Sequence, residues 1–409
     1  MNKALQLLKY GLTFFVLALS ASSVLAEQIT VGVLTNSGAQ RAFYTSFAQE
    51  FERQNPGTQV KVDFKPDSEF KEALAEWFQT GSGPEIINWQ GGERLFQYVR
   101  QGHIADISGF WQQNKLLDTF TEGSIGAVSV NGRQYGIPIS YYQWGFYYRK
   151  SLFDKLNLSP PQTWQQFMEV CRILNQNDVV PITIGAKYKW PTLAWFDYLN
   201  LRVNGLEFHQ RLLQGEESFE DERITKVLKL WKSLLDNKYF VRQYNKWNWS
   251  QAMPFLYHKM AGMTLMGNFF AGTMPPTIKD DFRFFRFPEI DDQIPLYEEA
   301  PLDVFLIPKY AENNATAKQF LLALSGRQFQ EDFNKMLNAI PPNTAASTSD
   351  DYFIQQGKVT LGEAKGVSQF FDRDTNNEMA QPSQLVLWRL VLHPVEIVKH
   401  TRDGFDLHL

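Results

Sequence analysis

Hydrophobic and polar positions alternate from Gln28 to Leu34, with Ile29, Val31 and Val33 on one side. That period of two predicts a strand. From Ala42 to Phe51 the period lengthens, and Phe43, Phe47 and Phe51 recur every fourth residue on one face of a helix. Asn55-Pro56-Gly57 ends this helix, Val60 to Phe64 alternates again, and Phe70 to Phe78 returns to helical spacing. After the break Gly81-Ser82-Gly83-Pro84, Glu85 to Trp89 reads as a third short strand. Strand and helix in succession predict an α/β fold with a mainly parallel sheet.

The later pattern is of the same kind. Leu95 to Arg100 is helical, and Asn131-Gly132 is a turn leading into a strand that carries Tyr135, Ile137 and Ile139 on one side. Pro138 is the expected crossing into a second lobe. The segment Ser140 to Tyr148 is crowded with rings, and Ser159-Pro160-Pro161-Gln162-Thr163 feeds a helix capped by Thr163. Ile182 to Ile184, Met263 to Met266 and Asp303 to Ile307 read as strands, the last returning the chain to the first lobe. Helices are expected over Leu193 to Leu201, Ile224 to Leu235, Ala315 to Leu324 and Phe329 to Leu337. The expected division is a first lobe of residues 27–138 and 301–350 and a second of 139–300 and 351–409, joined by several short crossings.

Lys3 and Lys9, the apolar-biased stretch Tyr10 to Ala21 and Val24-Leu25-Ala26 have the form of a secretory signal peptide over residues 1–26. Its removal from the 409-residue chain leaves 409 − 26 = 383 residues, enough for two domains. The formal charge changes from 40 − 44 = −4 to 38 − 44 = −6, which argues against nucleic-acid binding. Cys171 is the only cysteine, so an internal disulfide and a cysteine metal cluster are excluded, and its helical surroundings make it a buried small hydrophobe. A soluble periplasmic monomer fits these features.

Sequence motifs for dinucleotides, phosphate loops, serine nucleophiles and zinc helices are missing. The six histidines lack metal-ligand spacing, with His393 and His400 the one pair that could approach, so neither cofactor nor metal is expected. The aromatic content says more: 33 Phe, 16 Tyr and 11 Trp give 60 rings. Trp89, Tyr142, Trp144, Trp190, Trp195 and Phe269 fall at expected strand ends, crossings or breaks. Rings can cover the C–H face of a pyranose while polar side chains bind its hydroxyl rim, and each ring taken singly also fits a core contact. The alternative readings are a periplasmic carbohydrate hydrolase, which would need two carboxyl groups flanking a glycosidic oxygen, and a sugar-sensing protein with no transport step.

Motif order adds a resemblance. The blocks are Phe51 to Val62, Gly81 to Ile87, Gly132-Arg133-Gln134-Tyr135-Gly136-Ile137-Pro138, Tyr147 to Lys150, and Pro160 to Trp164. His258 to Met263, Gly267-Asn268-Phe269, Pro341-Pro342-Asn343 and Phe371-Asp372-Arg373-Asp374-Thr375 follow. In this order the chain resembles the family 1 extracellular solute-binding proteins of ABC importers, in their sugar-binding branch. The resemblance implies a two-lobed α/β periplasmic receptor that encloses a monosaccharide or short oligosaccharide and delivers it to membrane permease subunits, without catalysis. It also implies contact positions. Asn36 would meet sugar hydroxyls or cap a turn, and Asp67 would bind or cap the following helix. Trp89 and Gln90 fall at cleft positions, and Glu93 at a ligand loop or a helix cap. Tyr142 stands where maltose-binding members carry a carboxylate, a departure from that specificity. Trp144 and Trp190 supply second-lobe rings, Asn268 a hydroxyl partner, and Phe269 replaces a cleft tryptophan and its N–H donor. Asp303 and Arg373 are contacts or stabilisers of the hinge.

Overall fold

A computed structural model describes residues 27–35 and 37–375. The signal-peptide segment, Asn36 and residues 376–409, with His393 and His400, lie outside the described residues, as does the side chain of Asp67.

Two sheets organise the chain. In the first, the strands run in the order Thr58–Lys65, Glu27–Leu34, Ile86–Gln90, Leu302–Leu306 and Ile137–Tyr141. The first three are parallel, and Leu302–Leu306 is antiparallel to both of its neighbours. Helices Gly38–Gln54 and Asp67–Thr80 make the crossovers, as alternation between strand and helix periods requires. In the second sheet the order is Phe282–Phe285, Trp144–Arg149, Ala261–Gly267 and Val180–Ile182, with only the last pair parallel.

Each sheet has its own apolar core. Ile29, Val31, Phe70, Ile86, Trp111 and Phe305 belong to the first, while Phe146, Phe167, Trp195, Trp231, Met263 and Phe287 belong to the second. Two cores mean two lobes. Helix Trp164–Gln176 begins with a reciprocal cap, in which Thr163 Oγ1 accepts from the Gln166 backbone N–H and the Gln166 side chain accepts from that of Thr163. Cys171 is buried on this helix, and desolvation holds its thiol pKa well above the usual value.

The first crossing comes later than the prolines suggest. Pro138 lies inside Ile137–Tyr141, where its carbonyl accepts from Gln330 Nε2 at 2.7 Å, so the strand stays in the first sheet and the chain crosses at Tyr142-Gln143. Gln143 is fully buried there and donates from Nε2 to Asn268 Oδ1 at 3.2 Å and to the Phe353 carbonyl at 2.7 Å. The segment after residue 350 is shared between lobes: Phe353, Phe370 and Phe371 enter the second core, and Ile354, Leu361 and Val367 the first. Both lobes feel that segment because it threads between them.

Candidate functional site

Parallel strands place their carboxyl ends on one edge, where loops are free to differ and where ligands of open α/β sheets bind. In the first lobe Ile86–Gln90 ends there, and Asp303 is the register partner of both Gln90 and Ser140. In the second lobe Ala261–Gly267 and Val180–Ile182 run parallel and end towards Asn268-Phe269 and the loop leading to Trp190.

The centre of the second-lobe surface is Phe269, which is 41% exposed. Four rings stand steeply around it: Tyr142 at 80° and 6.2 Å, Trp144 at 79° and 5.8 Å, Trp190 at 63° and 6.1 Å, and Trp249 at 81° and 5.6 Å between centroids. Gly267 makes this possible, because a Cβ there would lie 2.6 Å from the Phe269 ring and 2.9 Å from the Trp144 indole. Trp144 itself is buried, and its indole Nε1–H has no acceptor among the described residues.

The polar side comes from the first lobe and the last described segment. Phe370 has φ of +99°, a strained value for a residue with a side chain, and it introduces the short helix Phe371–Asp374. Two carboxylates fasten this turn. Asp197 accepts from the Phe371 backbone N–H at 2.9 Å, and Asp374 accepts from Ser368 Oγ at 3.0 Å, the Gln369 N–H at 2.8 Å and the Glu93 N–H at 3.3 Å. Burial raises the Asp374 pKa to about 6 despite these donors. The turn delivers Arg373 to 3.9 Å from Asp303. That distance is too long for a hydrogen bond, and Arg373 Nη1 is buried without a partner among the described residues. Asp303 exposes 49% of its side chain, yet desolvation by the surrounding protein raises its pKa, with Arg373 pulling the other way. Both observations fit a carboxylate that is partly exposed yet surrounded by protein on most sides.

Among the sequence candidates, the structure brings Tyr142, Trp144, Trp190 and Phe269 into one cluster and Gln90, Asp303 and Arg373 into another. Phe370, packed on Trp144 at 5.1 Å and on Trp190 at 6.5 Å, lies three residues before Arg373 and bridges them. Gln90 Oε1 accepts from Arg94 Nη1 at 2.6 Å. Four candidates are placed elsewhere or are already engaged. Trp89 is 4% exposed, stacks on Phe70 and donates its indole N–H to the Arg94 carbonyl at 2.9 Å. Glu93 is buried in an ion pair with Arg100 and accepts from Gln214 Nε2 at 3.3 Å. Asn268 accepts from Gln143 and donates Nδ2 to the Asn338 carbonyl at 3.1 Å, so it anchors the turn that presents Phe269. Trp195 is a core ring, edge-on to Phe146 and Trp231. The sequence reading did not single out Trp249 or Phe370. Asn248 and Gln251, spaced as a capping box, were the available signal for Trp249 at a helix start.

Among the described residues no group of three His, Cys, Asp or Glu side chains is placed to hold a metal ion, and no helix is long and apolar enough to cross a membrane.

The fold has two lobes, with a ring cluster around Phe269 and a separate polar pair of Asp303 and Arg373. Residues 35–331 match the model of the bacterial extracellular solute-binding proteins, and the chain belongs to that family. It is similar to an uncharacterized ABC transporter extracellular-binding protein of Pyrococcus horikoshii, with 23% identity over 76% of this chain and 70% of that one. A multiple sugar-binding protein of Streptococcus mutans is 26% identical over 47% of this chain and 45% of its own. Among solved structures, the bacterial solute receptor AcbH, described as having an exclusive preference for β-D-galactopyranose, superposes with a TM-score of 0.83 at 29% identity, covering 90% of this chain and 93% of AcbH. A chitin oligosaccharide binding protein shares the fold, with a TM-score of 0.66 at 19% identity over 89% and 93% of the two chains.

Proposed function

We propose that the protein is the periplasmic receptor of an ABC sugar importer and closes its lobes around a monosaccharide or short oligosaccharide. What supports this reading is the exposed aromatic face at Phe269 together with the Asp303–Arg373 pair, whose buried Nη1 has no hydrogen-bond partner among the described residues. Rings cover C–H surface, a carboxylate accepts from hydroxyls and a guanidinium donates to them, so the two walls match the two kinds of surface a sugar has. An unpartnered buried donor is costly, and a ligand oxygen relieves that cost. Closure would follow from binding because ligand contacts on both walls exist together only when the lobes approach. The permease subunits would then read the closed arrangement.

A thermal-shift screen of mono- and oligosaccharides followed by calorimetry tests the reading, since a ligand selective for the folded state raises the midpoint. Phe269→Ala is expected to weaken a sugar hit by about 1–4 kcal/mol, the range for truncating an aromatic anchor. Stabilisation by another solute class and by no sugar would end the sugar assignment.

A further inference from the structure

Trp249 stands at 81° to Phe269, and its position is fixed from two sides. It is the first residue of helix Trp249–Tyr257, whose reciprocal cap has Asn248 Oδ1 accepting from the Gln251 N–H at 2.9 Å and Gln251 Oε1 accepting from the Asn248 N–H at 3.0 Å. The loop before Trp190 packs against this cap so closely that a Cβ on Gly185 would lie 2.1 Å from the Asn248 carbonyl oxygen and 2.6 Å from the Trp249 nitrogen. The same loop is tied on through Lys187 N–H to the Trp247 carbonyl at 2.9 Å. Trp249 and Trp190 are therefore held together as walls around the exposed Phe269 face, a preorganised corner of apolar surface.

A pyranose lying over one wall of such a corner turns part of its rim towards the other. Most of that rim carries hydroxyl groups, and a hydroxyl pressed on an apolar wall loses hydrogen bonds to water without replacement. The one stretch of rim that brings extra C–H surface is the hydroxymethyl group on C5. Its methylene can lie on the wall while its oxygen reaches past it. On the sugar-receptor reading Asp303 and Arg373 take ring hydroxyls, and the apolar corner is left for that group.

Resting on the sugar-receptor reading, we propose that Trp249 is a specificity-determining residue and that the Phe269–Trp249–Trp190 corner selects a hexopyranose over the pentopyranose that lacks C6. Three pairs differ only in that group: D-glucose and D-xylose, D-galactose and L-arabinose, D-mannose and D-lyxose. Calorimetric titration of the wild-type protein is expected to show a hexose preferred over its own pentose by about tenfold or more, the discrimination one missing carbon supports in an apolar pocket. Trp249→Ala should lower hexose affinity, leave pentose affinity nearly unchanged and bring the ratio towards one, while Trp249→Phe should restore part of it. A merely structural role predicts equal losses for both members of the pair. Equal wild-type affinities, or a ratio unmoved in Trp249→Ala, would overturn the proposal while leaving the sugar reading intact. If Trp249→Ala does not fold, the ratio in Trp249→Phe and Trp249→Leu decides in the same way. Binding of no member of any pair would overturn this inference, and the oligosaccharide arm of the earlier screen then decides the fate of the broader reading.

Discussion

Trp89→Ala is expected to destabilise the protein by about 3–5 kcal/mol, the range for removing a large buried aromatic from a packed core. Trp89 lies on the third strand of the first sheet, opposite Val304, with Phe70 parallel to it at 6.0 Å and Tyr98 edge-on at 6.2 Å. Truncation removes those contacts and also leaves the Arg94 carbonyl without the indole donor. Sugar affinity of the folded fraction should change much less than in Phe269→Ala. Denaturant unfolding and calorimetry on the same preparation separate the two effects, and a stable variant with lost affinity would show that Trp89 is a ligand contact after all.

Acid should weaken the fold through His209. This side chain is fully buried on helix Trp190–Leu213, and burial lowers its pKa to about 3. Asp197 Oδ1 lies 3.6 Å from Nε2, which would favour a charged ring, but the hydrogen bonds argue for the neutral one. Asn200 Oδ1 is occupied by Asn204, so the Asn200 amide N–H donates to His209 Nδ1 at 2.8 Å, and that nitrogen must be unprotonated. Below about pH 6.5 the unfolded chain takes up a proton that the folded chain refuses. The stability that the neutral histidine contributes is complete above that pH and is lost as pH falls, by about 2 kcal/mol at pH 5. His209→Gln removes the effect, so the stability difference between wild type and variant should shift in the variant's favour between pH 7 and pH 5. A difference that stays constant over that range would mean that the histidine is not held neutral.

Much of the scaffold was legible along the chain because its elements carry clean periods. The Phe43, Phe47 and Phe51 face lies on helix Gly38–Gln54, and the strand expected from Gln28 to Leu34 is observed from Glu27 to Leu34. The crossing was harder to see. Pro138 has no N–H to lose, and it is accommodated within its strand by a buried glutamine from residue 330, a partner that local pattern cannot reveal. At the site, sequence position identified the turn Gly267-Asn268-Phe269 but not the division of labour within it, since Asn268 holds and Phe269 presents. Trp89 and Trp190 look alike in sequence; only long-range packing puts the first against Phe70 and the second beside Phe269. Trp249 joins them from about sixty residues beyond Trp190, through a contact with Gly185 that depends on a missing Cβ.

The interleaving of the lobes sets an order of assembly. All four strands of the second sheet lie between Trp144 and Phe285, whereas the fourth strand of the first sheet, Leu302–Leu306, must return to Ile86–Gln90 across 302 − 90 = 212 positions. Until it arrives, Ile137–Tyr141 has no neighbour in that sheet and the edge of Ile86–Gln90 is open. Long closures of this kind form late, after the shorter ones have been made. Pulse-labelled hydrogen exchange during refolding should therefore protect amides of Trp144–Arg149 before those of Ile137–Ser140, whose one neighbour in the sheet is the late strand, with the reverse order ruling this sequence of events out. Asp303 rides on the strand that arrives last, so in the proposed site the polar group comes into place only as folding itself is completed.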